Sequence, residues 1–88
     1  MKSVIQSNKE CFICKTTYDL EDHHVFFGFA NRKQSENFGM KVWLCHEHHV
    51  EVHHNITLDT YIKQNCQKVF EREHTRNEFR QIFGKSWL

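Results

Sequence analysis

The stretch Lys41–His54, KVWLCHEHHVEVHH, holds five histidines and one cysteine in fourteen residues. Packing in a soluble helix or strand has no use for so many imidazoles. The stretch reads instead as the meeting point of two metal sites. Its first part extends MKVWL, residues 40–44, a short apolar run with β-branched and aromatic character that suits a strand. Its second part changes period: His49 and His53 stand four apart, one helical turn, so both imidazoles project from one face of a short helix.

Cys45 and His48, at the junction of the two parts, complete a pattern begun far upstream. Cys11 and Cys14 form a C-x2-C pair, thirty residues follow, and Cys45 and His48 form C-x2-H. Two ligand pairs, each on a tight turn, match a closed structural Zn²⁺ site. The bland alternative makes Cys11, Cys14 and Cys45 small buried hydrophobes. Cys66 falls on an apolar helical stripe and reads as core. The second constellation is His23–His24 followed by His49 and His53. Three imidazoles with one open position make a catalytic pattern rather than a closed one. A fourth imidazole, not bound to metal, can take a proton from water near neutral pH. Solvated helix histidines are the alternative for His49 and His53. His46, His54 and His74 receive no role.

Around these motifs the chain reads as one α+β domain of 88 residues. A chain this short buries a modest core, and a metal staple fits that limit. Residues 1–10 are polar and expected to fray. Val25, Phe26, Phe27 and Phe29 around Gly28 read as a buried strand, so residues 23–29 and 40–44 should form an antiparallel pair. Residues 30–39 read as a loop with a helical turn, stopped by Gly39. Asn55 or Thr57 should cap a helix whose stripe is Leu58, Tyr61, Ile62, Cys66 (or Asn65), Val69 and Phe70. Thr75 and Glu78 have the spacing of a capping box for a last helix that Gly84 ends. Trp87 and Leu88 are then free to pack back.

Twelve Lys plus Arg against eleven Asp plus Glu give a net charge of +1. Such a balance does not announce a nucleic-acid binder, so phosphate contacts would need a local patch or a bound cation. Arg32 and Lys33, just after the first strand, are the candidate patch; a solvated loop is the alternative. No apolar run approaches the roughly 18–20 residues of a membrane span, and no signal segment is legible. A reducing, cytoplasmic setting is expected, where four cysteines point to metal before disulfide.

These motifs resemble an HNH endonuclease of the ββα-metal, or His-Me finger, type. EDHHVFFG (21–28) is similar to the family's first strand. WLCHEHH (43–49) resembles the end of its second strand and the last zinc knuckle, with His48 in place of the final Cys. HVEVH (49–53) resembles the H-x3-H helix of the colicin DNases. Over its whole length, including NRKQSENFG and FGKSWL, the chain is similar to small HNH proteins encoded by phages and prophages.

The resemblance implies a ββα-metal core with a zinc knuckle over residues 11–54 and C-terminal helices over 55–88. It implies His23, His49 and His53 as ligands of one catalytic divalent ion, with His24 as general base. The reaction implied is hydrolysis of DNA phosphodiester bonds, leaving 5′-phosphate and 3′-hydroxyl ends, with Arg32 and Lys33 on a flanking phosphate. The implied cofactors are structural Zn²⁺ and one of Mn²⁺, Ni²⁺, Co²⁺, Mg²⁺ or Zn²⁺. DNA is the implied partner. For a phage-encoded member in a host cytoplasm, packaging or recombination proteins stay open as further partners.

Two departures stand out. Met40 occupies the place of the family's middle Asn. Asp22–His23 also fits the motif, although His23–His24 places apolar Val25 directly after the base. Both histidines can flank one ion only if the strand begins or bulges there, since neighbours on a regular strand face opposite ways. The rival reading is a catalytically inactive, zinc-stabilised DNA-binding or adaptor module.

Overall fold

A computed structural model describes residues 2–28 and 30–88. The elements run β1 (Leu20–His24), α1 (Asn31–Phe38), β2 (Lys41–Cys45), α2 (His46–Val52), α3 (Ile56–Phe70) and α4 (Arg76–Phe83). This is an α+β arrangement, a two-stranded antiparallel sheet followed by helices. Among the described residues no helix is long and apolar enough to cross a membrane.

The two strands pair from Leu20 opposite Cys45 to His24 opposite Lys41. Val42 and Leu44 alternate into the core while Lys41 and Trp43 face away. The first strand therefore lies three residues earlier than the 23–29 expected from its apolar run. Val25 and Phe26 are indeed buried, but as a bend entering the core rather than as ladder. Phe26 packs on Phe79 and Phe83 at ring-centroid distances of 5.1 and 4.7 Å. Its backbone is satisfied by Ser35, whose hydroxyl donates to the Phe26 carbonyl at 2.6 Å and accepts from the Phe26 N–H at 3.1 Å. Phe27 is half exposed, and Phe29 lies outside the described residues.

The N-terminal arm is ordered, against the expectation of fraying. It covers the outer edge of β2: Val4 N–H donates to Gly39 O, Trp43 N–H donates to Gln6 Oε1 at 2.7 Å, and Phe12 N–H donates to Trp43 O at 2.8 Å. Backbone groups on a sheet edge must find partners, and here polar side chains from the arm supply some of them. Residues 31–38 form a full two-turn helix rather than a single turn, and Gly39 ends it in the left-handed region at φ 68°.

Asn55 caps α3 by accepting from Leu58 N–H at 3.1 Å. Ile62, Cys66 and Phe70 point inward as the periodicity indicates, but Tyr61 is 54 % exposed. Lys63 and Gln67 take buried positions instead. Gln67 accepts from Trp87 N–H at 2.7 Å and donates to Ser86 Oγ at 2.9 Å, so it docks the C-terminal tail. Trp87 thus packs back while Leu88 stays largely open. The Thr75–Glu78 capping box starts α4, and Gly84 closes it at φ 90°.

Candidate metal centre

The first cluster is built from a knuckle hung on the sheet edge. Cys11 N–H donates to Thr16 O and Lys15 N–H to Cys11 O, and Lys15 turns the chain at φ 66°. The Phe12–Trp43 bond holds this knuckle beside the end of β2, where Cys45 leads into α2. One donor atom each from Cys11, Cys14, Cys45 and His48 then lies within 4.8 Å of all the others. Cys45 Sγ is 3.1 Å and Cys11 Sγ 3.6 Å from His48 Nδ1, and Cys14 Sγ is 3.9 Å from Cys45 Sγ. Zn–S bonds of about 2.3 Å and Zn–N bonds of about 2.0 Å in a tetrahedron give edges of roughly 3.5–3.8 Å. The four residues are consistent with a zinc site. Burial alone would raise the Cys11 thiol, but backbone hydrogen bonds at Cys14, Cys45 and Ile13 bring it down to about 6. That favours the thiolate, which is the metal-binding form.

The second cluster lies across β1. Alternation puts Glu21 and His23 on one face of the strand, opposite Leu44 and Val42. α2 covers that face and brings His49 and His53 to His23, again with donor atoms within 4.8 Å. Ring centroids are 5.1 Å apart for His23 and His49, 5.7 Å for His23 and His53, and 5.3 Å for His49 and His53. His23 is 3 % exposed, and its Nε2 is buried with no hydrogen-bond partner among the described residues. A buried polar atom of this kind is costly to leave unpaired. Burial first, and then the neighbouring imidazoles and Lys63, take the His23 pKa down to about 3, so its ring is neutral and able to ligate. The triad could hold a second metal.

Glu21 supports one member of the triad, His49, from behind. Its Oε1 lies 2.7 Å from His49 Nδ1 and its Oε2 3.3 Å from His46 Nδ1. With Nδ1–H donated to the carboxylate, His49 keeps the lone pair of Nε2 for a metal, the usual carboxylate–histidine arrangement. The same contacts, His49 foremost, hold the Glu21 carboxyl below its ordinary range. Neither Glu21 nor any role for His46 was read from the sequence. The signal was there: Glu21 and His23 share one face by the period of two.

His24 and Asp22 alternate to the other face, beside Lys41. His24 nonetheless lines the same cleft as the triad, about 250 Å³ in volume, together with Asp22, Phe27 and Arg32. β1 neither begins nor bulges at the histidines but ends at His24, and His24 is not among the residues whose donor atoms converge. Asp22 is not part of the triad, and its carboxylate lies 3.5 Å from Lys41 Nζ. Lys33, one residue beyond Arg32, is exposed on α1 and does not line the cleft. Met40 is a core residue, 1 % exposed. Glu36 stands beside the His24 ring, with Oε1 3.8 Å from Nε2 and Oε2 2.8 Å from Lys41 Nζ.

The chain matches no protein-family model, no curated protein and no solved structure.

Proposed function

We propose that the protein is a metal-dependent DNA endonuclease of the HNH, His-Me finger type. β1, β2 and α2 then make the ββα-metal core, the cysteine-rich cluster makes its zinc knuckle, and α3 and α4 make the C-terminal helices. One observation carries the reading: His23, His49 and His53 converge around an unpaired buried nitrogen, in a cleft that His24 also lines. In this reading His24 takes a proton from water on the cleft side. Glu36, whose Oε1 lies 3.8 Å from Nε2, is the carboxylate placed to orient the ring in place of the family's Asn. Arg32 holds a phosphate flanking the cut. His23, His49 and His53 would hold a divalent ion, which would supply positive charge for phosphate oxygens and the leaving oxygen. Burial keeps the His23 ring neutral, and Glu21 orients the His49 ring for the ion.

Plasmid nicking after chelation and metal add-back tests this. Imidazole ligands suit Ni²⁺ and Co²⁺, with Mn²⁺ lower in affinity, whereas Mg²⁺ prefers oxygen. Mn²⁺, Ni²⁺ or Co²⁺ should therefore support nicking at lower concentration than Mg²⁺. His24→Ala should abolish nicking while keeping both metals, and His23→Ala should lose the second metal. The buried Met40 favours the rival, a zinc-stabilised DNA-binding or adaptor module. No cleavage with any of these ions would establish the rival over the nuclease.

A further inference from the structure

The metal cleft has an aromatic wall to which the catalytic reading gives no task. Phe27 is 45 % exposed, although Val25 and Phe26 before it are fully buried. The chain bends out of β1 here, and Gly28 follows at φ 102°. The ring is nevertheless braced. Lys63 Nζ lies 4.5 Å from its centroid and 4.2 Å from that of Trp87, and Asp59 holds the ammonium at 2.7 Å. Cation–π contact and a nearly buried ion pair thus fix one side of Phe27. Its other neighbours are metal-site imidazoles, His53 at 5.7 Å and His23 at 6.2 Å between ring centroids. A large apolar ring left half in water gains little from folding, yet two core-facing residues of α3 and the C-terminal tail hold it in place.

We propose that Phe27 is a stacking platform for an unpaired nucleobase beside the phosphate that is cut. This rests on the endonuclease reading and narrows its substrate to a strand outside the regular duplex. The cleft offers phosphate chemistry through the triad and Arg32, and Phe27, 45 % exposed, lines the same cleft beside them. Bases inside a duplex are stacked on one another, so a side chain of this kind engages only a base that is single-stranded or turned out. The charge balance points the same way. With a net charge of +1, the chain has little general attraction for a phosphate backbone, and stacking supplies affinity that electrostatics does not.

The test measures binding apart from cutting. Fluorescence anisotropy follows a labelled single-stranded oligothymidine, the same strand built from abasic residues, and a duplex of equal length. The protein is His24→Ala, metal-loaded, alone and combined with Phe27→Ala, Phe27→Leu or Phe27→Trp. Zinc content and thermal melting report folding, and Phe27→Leu keeps apolar bulk if Phe27→Ala does not fold. The expected result is about tenfold tighter binding of the base-bearing strand than of the abasic strand. Phe27→Ala or Phe27→Leu should erase that difference by weakening only the base-bearing strand, and Phe27→Trp should preserve it. Equal weakening of both strands, no preference in the starting protein, or preference for the duplex would overturn the platform. Cleavage by the parent is scored separately. A parent that discriminates without cutting sinks the nuclease and leaves the platform; one that cuts without discriminating does the reverse.

Discussion

His23 is buried beside two other imidazoles, and its Nε2 has no partner among the described residues. Burial first, then His49, His53, His24 and Lys63, lower its pKa from 6.5 to about 3. Below about pH 6.5 the unfolded chain binds a proton that the folded chain refuses. Stability from this residue is therefore complete above pH 6.5 and is lost as pH falls toward 3, by ~1.4 kcal/mol per pH unit. Urea unfolding at one zinc per chain, between pH 7 and 5.5, should show that extra slope in the parent relative to His23→Gln. Equal slopes in the two proteins would mean that His23 is not held neutral. The clustering of Cys11, Cys14, Cys45 and His48, and of His23, His49 and His53, was the most legible feature of the sequence, because tight knuckles and one-turn helical spacing fix geometry locally. The carboxylates behind them were not. Glu21 and Glu36 come beside His49 and His24 because α2 and α1 fold over β1, which no local spacing encodes.

At the scale of elements, α3 carries a polar pair on the side that faces the core. Lys63 and Asp59 are one turn apart, paired at 2.7 Å, with side chains 8 % and 14 % exposed. Removing one partner of a buried pair strands the other charge. Asp59→Ala should cost about 3 kcal/mol, the low end for such pairs because the ring contacts of Lys63 remain. Adding Lys63→Met should recover most of the loss, a coupling that denaturant melts of the two single variants and the double would measure. Simple additivity would refute the coupling. Helix boundaries here were legible through Asn55, the Thr75–Glu78 box and the glycines Gly39 and Gly84. The buried face of α3 was legible only in part, since periodicity in apolar residues passes over Lys63 and Gln67 and credits Tyr61 with burial it does not have. The apolar run likewise marked burial correctly for Val25 and Phe26 and the strand incorrectly over residues 25–28, because a bend into the core and a ladder look alike in composition.

For the molecule as a whole, the two ligand clusters lie at opposite ends of the same short junction, Cys45–His53. The cysteine-rich cluster ties the N-terminal knuckle to the start of α2, and the triad ties the end of β1 to the end of α2. The order of the N-terminal arm follows from that geometry: held at Cys11, it is drawn along the edge of β2, where Ser3 and Gln6 find backbone partners. Those bonds are tertiary, so a polar segment that looks free in sequence is tied down. The account stands on the two clusters being two separable metal centres, and cobalt titration of the metal-free chain tests that most directly. Absorption should report two equivalents. One shows thiolate-to-cobalt charge transfer, persists in His23→Ala and is lost in Cys11→Ser. The other has no thiolate band and is lost in His23→Ala. A single equivalent in the parent, or loss of the thiolate band in His23→Ala, would contradict the account.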